Sequence, residues 1–146
     1  GRFGFSDVLT LFAALDCYVE LYHGGNVPIR DFIHMDYDND ILVAVHIKKT
    51  PLKVTYLSQR NTATDFPVLA VAVSEYEDKL HVSIGARPVK ADVLTVDLSE
   101  KADMDQLVKK VTESFPFGSN RRAGADYRRH LSGVLFKRAC TANNDN

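Results

Sequence analysis

The chain has no tryptophan, only two cysteines and two methionines in 146 residues, and no apolar run near the eighteen or so residues of a membrane helix. Cys17 and Cys140 lie far apart with no Cys-x-x-Cys around either, which excludes a zinc ribbon or a vicinal redox pair and reads both as core thiols. No charged segment, apolar core and cleavage site stand at the N-terminus, so the chain reads as cytoplasmic. Lys and Arg number 18 against 19 Asp and Glu, a net charge of -1, so there is no overall positive field for non-specific phosphate binding. The eight glycines fall at 1, 4, 24, 25, 85, 118, 124 and 133 and form neither GxGxxG nor GxxxxGK[ST], so no nucleotide site is self-contained. The five histidines make no HxxxH or HExxH and read as surface or hairpin residues, and no serine has a GxSxG setting. The acidic run Asp36 to Asp40 begins like a calcium loop, but Ile41 stands where glycine is required and Ile47 where a bidentate glutamate is required.

What is present is a globular composition, 45% hydrophobic and 25% charged, enough for one core or for two small halves sharing one. Val8, Leu11, Phe12 and Leu15 recur at helical spacing, with Ser6 or Asp7 placed to cap. Cys17 to Leu21 alternates and leads through Gly24-Gly25-Asn26 into a return ending at Phe32, the pattern of a hairpin or hooked strand. Ile41 to Ile47 and Lys53 to Arg60 read as strands, the second with Val54 and Tyr56 on one face and Leu57 on the other. The stretch from Pro67 to Val89 reads as a second hairpin with Glu77, Asp78 and Lys79 at its tip.

After Ala91 the pattern reads as helical, with Met104, Leu107, Val108 and Val111 on one face and Pro116 as the stop. A final helix from about Ala123 aligns Tyr127, Leu131, Val134, Leu135 and Arg138, turns Arg128, Arg129 and Lys137 elsewhere, and gives way to a polar tail over 141-146. Its six Arg and Lys between Arg121 and Ala139 suit a scaffold helix with arginines solvated or paired, because nucleic-acid binding asks for interleaved exposed aromatics or a basic face across the fold. The expected architecture is α+β, a mainly antiparallel sheet with the C-terminal helices packed on one side.

The last helix carries more than periodicity. Arg122, Tyr127, Arg128, Leu131, Val134, Leu135, Arg138 and Ala139 match the Arg-x-x-x-x-Tyr-Arg-x-x-Leu-x-x-Val-Leu-x-x-Arg-Ala ending of the FAD-binding subunit of molybdenum hydroxylases, the xanthine dehydrogenase and carbon monoxide dehydrogenase group, which the chain therefore resembles. Other segments agree in order: Asp7 and Ala14 in "FSDVLTLFAALDCYVEL", the "VPIRDFI" turn, Arg60 and Asp65 at a strand entry, and "ARPVKA" before the helices. The resemblance implies residues 1-50 as the end of an FAD-binding domain, 51-140 as the flavoprotein C-terminal domain, and glycine-rich pyrophosphate loops upstream of this segment. It implies FAD contacts at Asp7 and Tyr37, no catalytic residue, and no metal ligand on this chain. It also implies partner subunits that carry a molybdenum cofactor and iron-sulfur clusters, with a homo-oligomer as a further arrangement, in an oxidoreductase complex where this segment does no chemistry alone. Two departures stand out: a shortened loop after Phe32, and Leu57 where the family places a lysine near this point. They suit the rival reading, a scaffold or assembly domain that has lost flavin. On sequence alone, a residue such as Asp7 is more often a helix cap than a ligand.

Overall fold

A computed structural model describes residues 7-145. The first part of the chain folds as helix α1 (Asp7–Ala14), strands β1 (Cys17–Leu21) and β2 (Gly25–Pro28), helix α2 (Ile29–His34) and strand β3 (Leu42–Ile47), with the strands in the antiparallel order β2-β1-β3. The β1-β2 turn ends on Gly25 at a φ of 64°, where a side chain would be strained. Asp40 fastens this turn by accepting the backbone N–H groups of His23 and Gly24 at 3.0 and 2.7 Å, bonds that hold its carboxyl below the usual carboxylate range. The acidic run thus serves a turn. The return strand stops at Pro28, earlier than its sequence suggests, because proline cannot donate to a ladder and Ile29, Phe32 and Ile33 bury one face of a helix instead.

Strands β4 (Lys53–Arg60), β5 (Pro67–Tyr76), β6 (Lys79–Gly85) and β7 (Asp92–Asp97) form a second antiparallel sheet in chain order. The β5-β6 hairpin closes through Glu77 and Asp78, both at positive φ (51° and 57°), the two-residue geometry whose twist matches the strands. Strand β7 corrects the helical reading after Ala91: Asp92 to Asp97 pairs with β6 over six residues and buries Val96.

This sheet has two unlike faces. Leu69, Val71, Val73, Leu80, Val82 and Ile84 point toward the C-terminal helices, α3 (Met104–Ser114) and α4 (Ala125–Asp145), which supply Leu107, Val111, Leu131, Leu135 and Phe136 to the same core. The opposite face carries the cross-strand pairs Ala70 with Gly85, Ala72 with Ser83, and Ser74 with His81. Helix α1 packs on that small-residue face, where the Ser74 hydroxyl donates to the Ala14 carbonyl and a Cβ on Gly85 would lie 1.9 Å from Thr10 Oγ1. The buried side of α1 is accordingly Leu9, Thr10, Ala13 and Ala14, while Val8, expected inward, is 58% exposed. A face of alanine, serine and glycine selects small partners over large ones.

Helix α4 corrects the sequence reading twice. Tyr127 and Arg138 are exposed, and the buried stripe instead begins at Arg128, itself fully buried, and runs through Leu131, Ser132, Leu135, Phe136, Ala139 and Cys140. The helix also continues to Asp145, where a polar tail was expected from 141. Asn143 is buried, accepting from Thr55 Oγ1 at 2.6 Å and donating to the Val73 carbonyl. The α+β architecture with the C-terminal helices on one side is the one the sequence implied.

Candidate functional site

Asp7 opens α1, and its carboxylate sits in the first turn, where the positive end of the helix favours it. Ser6, the other candidate cap, lies outside the described residues. Arg60, at the end of β4, reaches across and donates from Nη2 to Asp7 Oδ2 at 2.5 Å, and that carboxylate holds the guanidinium above its ordinary range. The same guanidinium donates from Nη1 to the Asp65 carbonyl at 2.6 Å, folding the β4-β5 loop back on itself.

From there the charges alternate onward. Asp65 accepts from Arg122 at 3.0 Å and from the Phe66 backbone N–H at 2.7 Å, and the pairing with Arg122 lowers its carboxyl below the usual range. Arg122 in turn lies over the Phe66 ring, 5.5 Å from its centre. Asp7, Arg60, Asp65 and Arg122 therefore form one relay from the start of α1 to the approach of α4. All four belong to the segments on which the sequence resemblance rests, and the structure gives them a common physical task.

Tyr56 completes the geometry. It stands on the α1 side of β4, opposite Ala72, with its hydroxyl buried beside Asp7 and Ser58 and no hydrogen bond of ordinary geometry closing on it. Burial, and then the negative charge of Asp7, raise this phenol above its usual range. Leu57 faces the other way and packs into the core beneath α4. The strand alternation already separated Tyr56 from Leu57, so the sequence held the signal for which of the two faces Asp7. Tyr37 lies on the loop between α2 and β3, 79% exposed, on a different element from Asp7.

The remaining candidates resolve as follows. Cys17 and Cys140 are buried and free, their thiols pushed up to about 11 chiefly by burial. His81, one of the histidines read as surface or hairpin residues, lies on the β5-β6 hairpin and is only 3% exposed. Among the described residues no group of three or more His, Cys, Asp or Glu side chains could hold a metal ion, and no helix is long and apolar enough to cross a membrane.

No family model matches the sequence, and no curated protein matches it. Solved structures do match in fold. Quinoline 2-oxidoreductase from Pseudomonas putida 86 superposes with a TM-score of 0.76 at 17% identity, over 99% of this chain and 57% of that one. Reconstituted CO dehydrogenase from Oligotropha carboxidovorans gives 0.78 at 19% identity, over 95% and 56%. Carbon monoxide dehydrogenase from Hydrogenophaga pseudoflava, in a form lacking the Mo-pyranopterin moiety of the molybdenum cofactor, gives 0.74 at 16%, over 92% and 55%. The chain thus spans a little over half the length of the chains it matches, and it shares their fold across nearly all of its own length.

Proposed function

We propose that this chain is the C-terminal segment of a flavoprotein subunit in a molybdenum hydroxylase complex, where it completes one wall of the FAD site and contributes to subunit contacts. The observation that carries the reading is the fold shared with quinoline 2-oxidoreductase and CO dehydrogenase over more than nine-tenths of the chain. Electrons arriving from iron-sulfur clusters on a partner chain would reach FAD and leave to an acceptor, the substrate being oxidised at a molybdenum cofactor on another subunit. FAD, when bound, supplies the redox chemistry; this chain supplies position and field.

The residues present suit the ring end of such a cofactor. Asp7 offers a carboxylate acceptor held by Arg60 through Oδ2, and Tyr56 offers a buried hydroxyl beside it. An acceptor and a donor side by side match the edge of a heterocycle that alternates N–H and C=O groups. Arg60 fixes the carboxylate's orientation, and Asp65 and Arg122 fix Arg60. Tyr37, on its exposed loop, is proposed as the second contact.

The test is to purify the natural gene product with its partners and record the visible absorbance. A flavin band that is retained by the wild type and depleted about tenfold or more in occupancy by Asp7→Ala supports the reading, since a charge-assisted hydrogen bond is worth about that factor. A colourless complex refutes it and supports the second reading, a scaffold or assembly domain. One observation favours that alternative: Leu57, standing where the family carries a lysine, is packed into the core and brings no cation to the Asp7 side.

A further inference from the structure

A second cluster of polar groups lies away from Asp7, in a recess of about 290 Å³ between the two sheets. Arg30, on α2, crosses from the first sheet's layer to the second. It donates from Nη2 to the Tyr76 hydroxyl at 2.7 Å and to His81 Nδ1 at 2.9 Å, and from Nη1 to Thr95 Oγ1 at 3.4 Å. These three partners are all uncharged. A guanidinium has five N–H donors, so two remain without a partner among the described residues. An arginine drawn into a recess ordinarily meets a carboxylate, because a half-desolvated cation is costly to leave unpaired. Arg30 meets none.

The walls are arranged to keep it so. His81 is 3% exposed and accepts from Arg30 on Nδ1, so its proton sits on Nε2. Burial, with Arg30 and Lys79 nearby, pushes it down to about 4, so the ring stays neutral at physiological pH and holds the guanidinium without repelling it. The Tyr76 ring stacks against His81 at 4.1 Å and closes the floor. Of the two acids lining the recess, Asp16 is taken by Lys48 at 3.0 Å and Glu77 forms part of the β5-β6 turn; with Lys79 also on the wall, the lining carries three cations against two carboxylates.

We propose that this recess is a binding site for a small ligand bearing one oxyanion group, a carboxylate or a phosphate, seated on Arg30 with Lys79 at the rim. The site is independent of the flavin reading and would stand if that reading fell. A planar fork with spare donors recognises such a group bidentately, and the neutral His81 and Tyr76 fix the fork's orientation in advance. Because Arg30 joins α2 to β5, β6 and β7, occupancy would also tighten the junction between the sheets.

The experiment is a backbone amide NMR titration of the full chain with sodium phosphate, sodium acetate and sodium chloride at matched ionic strength. Saturable shifts centred on Arg30, Tyr76, His81 and Thr95 are expected with at least one oxyanion, and none with chloride. Phosphate alone would assign a phosphorylated ligand and acetate alone a carboxylic acid. Arg30→Lys, which keeps the charge and loses the fork, should weaken binding about tenfold. Should that variant not fold, Lys79→Gln at the exposed end of the hairpin is expected to weaken binding about two- to threefold. Shifts that rise linearly, that appear equally with chloride, or that saturate with an affinity untouched by these changes would overturn the proposal.

Discussion

Removal of Arg128 is costly for reasons the structure makes explicit. It is fully buried, and its guanidinium donates from Nε to the Val68 carbonyl at 2.8 Å, from Nη1 to the Gly118 and Ala123 carbonyls at 2.7 and 2.8 Å, and from Nη2 to Asn120 Oδ1 at 2.6 Å. No acceptor is charged, so four neutral dipoles share one cation, and burial lowers its pKa from the ordinary arginine value. In Arg128→Ala, Gly118, Asn120 and Ala123 lie on a partly exposed loop and can turn to water, at a cost of well under about 1 kcal/mol each. The Val68 carbonyl cannot, and its orphaning costs about 1–3 kcal/mol; loss of the packed aliphatic stem adds about 1–2 kcal/mol. The sum is about 4 kcal/mol, which at this chain length lowers the melting temperature by about 10 °C. Urea unfolding followed by far-UV circular dichroism measures it, with Arg128→Lys expected to fall between wild type and alanine. A loss below about 1 kcal/mol for Arg128→Ala would refute the assignment of α4's anchorage to this side chain.

Gly85→Ala should destabilise by about 2 kcal/mol, because its new Cβ meets Thr10 at 1.9 Å from Oγ1 and 3.1 Å from Cβ; adding Thr10→Ala should return part of that loss in the same urea assay. His81 has a folded pKa of about 4 against 6.5 when unfolded, so the unfolded chain binds the extra proton first. Stability is therefore full above pH 6.5 and declines as pH falls through 4, and His81→Gln should flatten that leg of the urea midpoint against pH relative to wild type. Asn143→Ala should cost about 1–2 kcal/mol through the bonds to Thr55 and Val73, and truncation after Cys140 should cost at least as much in differential scanning calorimetry; a neutral truncation would restore the reading of these residues as a tail.

The hairpins and long helices were legible because their signals are local. The turn residues Glu77 and Asp78, the alternation from Leu80 to Ile84 and the helical spacing from Met104 to Val111 need no distant partner to be read. Errors arose where a distant partner decides. Val8, Leu11 and Phe12 outrank Thr10, Ala13 and Ala14 in hydrophobicity, yet a sheet face built from Ala70, Ala72, Ser74 and Gly85 chose the smaller set. Strand β7 is six residues bounded by aspartates and gains its identity by pairing with β6. Arg128 reads with the solvated or ion-paired arginines because nothing near it in sequence announces the carbonyl of Val68, 60 residues away. At the candidate site, Asp7 was singled out, but its ion-pair partner Arg60 lies 53 residues on, and only a resemblance placed both in one pattern.

The unlike faces of the central sheet also act as a proofreading device during folding. Leu69, Val71 and Val73 alternate along β5 with Ala70, Ala72 and Ser74, and β6 repeats the scheme with Val82 and Ile84 against Ser83 and Gly85. A slip of one residue between these strands turns one of them over. Valines would then stand where α1 leaves no room, and alanines where the C-terminal helices require volume. Each misplaced pair combines crowding on one side, costing about 1–3 kcal/mol, with a void on the other. Misregistered hairpins therefore cannot accept both helical layers, and docking α1 on one side and α4 on the other selects the single pairing that satisfies both.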